Sequence, residues 1–155
     1  MRAPLGGLGA PLRPLARSET TTSREIAMLP GFIVEDAVRR EDGASPALDV
    51  AAAQGGCLLV TLVITRIIEQ ESLDIAVYGS KDGAEWLPKP LAIFPQKFYC
   101  GTYSILVDLT DAPDVKLIRI QWKMSRWGRG DPKPLFGFYL FAEKTPAPVV
   151  TGVGV

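Results

Sequence analysis

From residue 57 onward, apolar and polar positions recur with a period of two, the spacing of a β-strand with one buried face. Leu58, Val60, Leu62 and Ile64 alternate with Leu59, Thr61, Val63 and Thr65 in a run rich in β-branched residues. Both of its faces are largely apolar, which predicts a central strand. Leu73, Ile75 and Val77 then alternate with Asp74, Ala76 and Tyr78, predicting a half-buried strand. It runs into a turn carried by Ser80, Asp82 and Gly83, beyond which Trp86 on a returning strand folds back as an apolar lid. Ala92 to Tyr99 reads as extended chain interrupted by Pro95, which confines it to an edge or a bulge. Tyr103, Ile105, Val107 and Leu109 share one face of the next strand. In Val115 to Met124, Ile118, Ile120, Trp122 and Met124 oppose Arg119, Gln121 and Lys123, so one face is core and the other meets water or a ligand. The last strand, Leu135 to Glu143, places Phe136, Phe138 and Leu140 in the core and leaves Tyr139 and Phe141 on a face that also needs cover.

The first third of the chain is less regular. Gly31 to Glu35 predicts a short strand, and the charged stretch Asp36 to Asp49 a solvated loop; a short helix over Val34 to Arg40 is the alternative, without an apolar stripe to support it. Ala51 to Ala53 fits a helical turn or the approach to a strand. Six or seven short strands with turn residues between them and no amphipathic helix predict an all-β fold, an antiparallel β-sandwich of jelly-roll type. The domain spans residues 25–144. Residues 1–24, rich in Pro, Gly, Arg, Ser and Thr, and the tail 145–155 read as flexible arms.

Composition narrows the chemistry. The 155 residues carry 17 basic and 17 acidic side chains, so no net field attracts nucleic acid. Histidine is absent, which removes the commonest general base and transition-metal ligand together. Glu69 with Glu71 and Asp111 with Asp114 are paired carboxylates in apparent turns, where solvated charge is the usual explanation. No catalytic residue, metal site or cofactor is expected. Cys57 and Cys100 form no CxxC pair and are either two reduced thiols or one disulfide. The N-terminus lacks the uninterrupted apolar run of a secretory signal, and no window is long and apolar enough to span a membrane. The expected protein is soluble, cytoplasmic or particle-associated.

Two motifs carry a resemblance. VYGSKDGAEW is similar to the S-x-D-G-x-x-W strand and turn of discoidin-type (coagulation factor 5/8 C-terminal) domains, and VKLIRIQW to a later strand of those domains with an arginine between apolar residues. The resemblance covers about a third of the chain and lacks the terminal cysteine pair of many members. It implies an eight-stranded jelly-roll-like sandwich, and less strongly the binding of glycans or phospholipid head groups, without catalysis. SKDGAEW also approaches the Asp-box of sialidase-like propellers, but it is one residue short and does not repeat.

Three surfaces are candidate functional sites. Arg126, Trp127, Arg129 and Lys133 form the most basic window, suited to a glycan or an anionic group through cations and a stacking indole. Tyr139 and Phe141 are a candidate interface, and the arm could dock on a neighbour. The leading expectation is a non-enzymatic structural or assembly protein, a β-sandwich subunit or decoration of a larger particle or surface assembly that self-associates. The alternative is a discoidin-like ligand-binding module for glycans or anionic groups. Neither involves nucleic acid.

Overall fold

A computed structural model of the chain describes residues 26–130 and 133–146. The arm 1–24, residues 147–155 of the tail and Asp131 lie outside the described residues. The described residues form ten strands: β1 (Ala27–Met28), β2 (Gly31–Arg39), β3 (Gly43–Ala44), β4 (Leu48–Asp49), β5 (Cys57–Ile67), β6 (Glu71–Ser80), β7 (Ala92–Ile93), β8 (Gly101–Asp108), β9 (Leu117–Arg126) and β10 (Phe136–Thr145). One sheet has the order β1-β4-β9-β6-β7 with β3 also on β9, and the other the order β2-β10-β5-β8. Every pairing is antiparallel except β1 with β4. With β1 and β3 set aside, the first strand pairs the last, the second the seventh, the third the sixth and the fourth the fifth. That nesting is the jelly roll: one long hairpin rolled into two facing sheets. Among the described residues no helix is long and apolar enough to cross a membrane.

The core lies between the sheets and is built from the residues that alternation assigns to it. Leu58, Val60 and Leu62 of β5, Leu73, Ile75 and Val77 of β6, Ile118 and Ile120 of β9, and Phe136, Phe138 and Leu140 of β10 are all buried. β5 lies between β10 and β8, so it is the central strand its two apolar faces require.

Several expectations need correction. Asp36 to Arg39 continue the edge strand β2, and Gly43–Ala44 and Leu48–Asp49 are short strands along β9, so within the charged stretch 36–49 only residues 40–42 and 45–47 are loop, and none of it is helix. Its charges are tolerated because an edge leaves side chains in water. Gly43 is needed there, since a Cβ would stand 2.6 Å from Cζ2 of Trp122. Ala51–Ala53 form a short 3-10 turn. Ser125 and Arg126 extend β9, and Thr145 closes β10 opposite Cys57. Trp86 makes a single bridge to Ser80 instead of a returning strand. Cys57 opposes Asp108, whereas Cys100 precedes Gly101, which opposes Ile64. The two thiols therefore sit at opposite ends of the β5–β8 pair, about 25 Å apart, and both are free.

The turn after β6 is held as its residue types anticipate. Ser80 Oγ donates to Glu85 O (2.7 Å) and accepts from the N–H of Gly83 (2.7 Å), while Asp82 Oδ1 accepts from Ala84 N (2.8 Å) and Glu85 N (3.1 Å). Gly83 has φ 83°, a left-handed conformation that favours glycine. Trp86 lies under the guanidinium of Arg119 at 4.5 Å, which makes it a structural lid. The backbone donors of Glu85 and Ala84 hold the Asp82 carboxyl below its usual pKa. A depressed carboxylate contributes stability above the unfolded pKa of about 4 and loses it as pH falls through the folded value. The melting temperature of the wild type should therefore exceed that of Asp82→Asn at neutral pH, with the difference closing in acid; a constant difference in thermal melts across that range would contradict the assignment.

Candidate functional site

One end of the sandwich gathers the β5–β6 connection, the β7–β8 loop, the residues after β9 and the start of β10. Glu71 organises it. Its carboxylate is buried and accepts from Ile68 N at Oε2 (2.9 Å) and from Leu135 N at Oε1 (2.7 Å), tying the β5–β6 connection to the residue just before β10. Gln70 adopts φ 63°, a conformation uncommon for a residue with a side chain, and its carbonyl accepts from Trp127 N (3.0 Å). Arg126 reaches the carbonyl oxygens of Glu69 (3.4 Å) and Arg129 (3.1 Å), so its guanidinium serves as a brace between loops. On the far side, Lys97 exchanges backbone hydrogen bonds with Leu73 and holds its ammonium 3.9 Å above the ring of Tyr103, whose hydroxyl donates to Tyr99 O (3.1 Å).

These braces present three aromatic side chains to solvent. Trp127 is 60% exposed, Tyr99 71% and Phe98 39%. Phe98 stands edge-on to Trp127 at 6.3 Å between ring centroids and lies 6.3 Å from Tyr99, so the rings form one cluster. Together with Ile67, Glu69, Gln70 and Glu71 they line a cleft of about 380 Å³.

The basic window predicted from sequence does not assemble as a unit. Trp127 lines this cleft, while Arg126 braces Glu69 beside it and meets Arg129 through that residue's carbonyl oxygen. Lys133 turns instead to Glu41, with an ion pair at 3.2 Å, beside Arg40, which donates to Lys133 O (3.3 Å) and Pro134 O (3.1 Å). Sequence reasoning missed Phe98, Tyr99, Glu69 and Gln70 as site residues. The available signal was the adjacent pair Phe98–Tyr99 following Pro95 in a segment too broken to be a buried strand.

Tyr139 and Phe141 lie on the outer face of the second sheet, as alternation requires, and are half-buried. Part of their cover comes from β2: Phe32 packs edge-on against both, at 5.6 Å and 5.1 Å. The outer face of the first sheet holds a larger concavity, about 750 Å³, bordered by Asp74, Ala76, Tyr78, Ile93, Gln121 and Lys123. It is broad and open, and its Asp74 already accepts from Gln96 Nε2 (3.0 Å). The aromatic cleft is the smaller and less open of the two, and it sets exposed rings beside polar groups, which makes it the candidate site.

Among the described residues no group of three or more Cys, Asp or Glu side chains could hold a metal ion. No protein-family model matches the chain, and no curated protein is similar to it.

Proposed function

We propose that this protein is a non-catalytic carbohydrate-binding module of jelly-roll architecture, with the cleft of Phe98, Tyr99, Trp127, Glu69 and Gln70 as its site. The exposed aromatic cluster carries this reading. Large rings held in water at adjacent positions leave apolar surface uncovered, and loops braced by Glu71 and Arg126 hold them there. A pyranose offers C–H groups on its faces for such rings and hydroxyls at its rim for the Glu69 carboxylate and the Gln70 amide. The polar partners lining the cleft favour a neutral sugar over an anionic group, because Arg126 braces the loops and Lys133 is directed to Glu41. The discoidin-like motifs support the reading, since that resemblance implies both this sandwich and glycan recognition.

Titration of a panel of neutral and acidic oligosaccharides should find a neutral ligand whose affinity falls on the order of tenfold or more in Trp127→Ala and less than about twofold in Lys133→Ala. Unchanged affinity in Trp127→Ala would remove this site from consideration. A second reading, a subunit of a larger assembly, draws on the second sheet's outer face, where Phe32 (44%) and Leu106 (42%) are exposed alongside the half-buried Leu59, Val63, Tyr139 and Phe141.

A further inference from the structure

The two sheets end in edges that differ sharply in how they are protected. β7 is two residues long and lies between Pro90 and Pro95, and β1 and β3 are equally short. β2 is long, but its pairing with β10 shifts register twice, and the guanidinium of Arg39 occupies the carbonyl oxygens of Glu35 (2.8 Å) and Ala37 (3.2 Å). Short length, bulges and charge are the ordinary ways a protein blocks pairing at an edge. β8 is long and unbulged, and its one charge is the terminal Asp108. Its eight residues, GTYSILVD, contain no proline and no basic residue, pair with β5 without a register shift, and have β5 as their neighbour on one side alone.

The direction of its open hydrogen-bonding groups follows from the ladder. Leu109 N donates to Gly56 O (2.7 Å), continuing the register in which Asp108 opposes Cys57. Hydrogen-bonded pairs alternate in an antiparallel ladder, so Tyr103, Ile105 and Val107 turn their N–H and C=O groups toward β5. Thr102, Ser104 and Leu106 turn theirs outward. Among the described residues no turn or loop backbone group hydrogen-bonds to them.

We propose that β8 is a self-association edge, pairing antiparallel with β8 of a second copy to join two four-stranded sheets into one of eight strands. A two-fold axis through Ile105 sets Ser104 against Leu106 of the other copy and Thr102 against Asp108, satisfying the outward groups of both edges. The same register places the two Asp108 carboxylates, the only charges on the strands, about 20 Å apart at opposite ends, so like charges do not meet. It also covers Leu106, which is 42% exposed in the single chain. The contact is small, so association belongs to the weak class that populates dimer at high micromolar concentration. This inference does not depend on the carbohydrate reading.

Sedimentation velocity and amide hydrogen exchange of the full chain, at about 20 μM and about 1 mM, test it. The expected result is a monomer–dimer equilibrium in which the amides of Thr102, Ser104 and Leu106 exchange on the order of fivefold more slowly at the higher concentration, while those of Tyr103, Ile105 and Val107 are slow at both. Leu106→Pro removes an outward N–H without touching the β5 ladder and should abolish dimer; Leu106→Lys, a charge at the edge, should do so even if the proline variant fails to fold. Trp127→Ala should dimerise as the wild type does. A monomer with unchanged exchange at both concentrations overturns the proposal. So does protection of the three amides even in dilute solution, which would mean that the chain covers its own edge, or a dimer that survives Leu106→Lys.

Discussion

Glu71→Ala is expected to destabilise the protein by about 3 kcal/mol. Glu71 is 1% exposed and its carboxylate accepts two backbone N–H groups, from Ile68 and Leu135, which follow β5 and precede β10 at the same end of that strand pair. Hydrogen bonds to a charged group contribute roughly 1.5–3 kcal/mol each, and alanine leaves both donors without an acceptor as well as opening a void. The lower figure for each of the two bonds gives about 3 kcal/mol. Glu71→Gln retains one acceptor oxygen and should cost about half as much. Urea denaturation decides the matter: a shifted midpoint with an unchanged slope is expected, and a loss below about 1 kcal/mol in Glu71→Ala would show that the carboxylate is not the brace described here. Because Glu71 also lines the aromatic cleft, the sugar binding proposed for that cleft should be weaker in the alanine variant than its remaining folded fraction predicts.

Phe138→Ala should cost about 3–5 kcal/mol, the range for deleting a buried aromatic ring. Phe138 is fully buried, packs edge-on against Trp122 at 5.6 Å, and lies 5.0 Å beneath the guanidinium of Arg39, which also covers Trp122 at 5.2 Å. Arg39 donates to Phe138 O (3.1 Å) as well as to the β2 carbonyls, so loss of the ring loosens the group that blocks the β2 edge. Phe138→Leu, which fills more of the space, should lose less. The measurement is again equilibrium denaturation, read together with Trp122 emission, which should move to the red as the indole gains water. An alanine variant within about 1 kcal/mol of the wild type would contradict the packing role.

The strands were legible where one residue in two is apolar over a long run. β5, β6, β8, β9 and β10 were each visible from local alternation, and the turn at Ser80, Asp82 and Gly83 from residue type, because side chains of a strand alternate whatever lies beyond it. The short strands β3 and β4 were not legible. Two-residue pairings are set by the neighbouring β9, and nothing in Gly43–Ala44 or Leu48–Asp49 alone favours extension. Glu71 shows the same limit from the other side. In sequence it is one of several polar residues in a connection, and only the approach of Leu135, 64 residues away, makes it a buried acceptor.

The sequence by itself determined an all-β chain, the inward face of each long strand, the turn after β6 and the absence of histidine chemistry. Those properties depend on period, residue type and composition, which are local. Tertiary structure decided which side chains meet: it turned Lys133 to Glu41, brought Phe98 to the Trp127 indole with Tyr99 beside it, placed Cys57 and Cys100 at opposite ends of one strand pair, and left β8 at the edge of its sheet among the described residues. Each of those outcomes follows from how eight strands nest across long sequence separations, and strand alternation carries no record of the neighbour a strand will find.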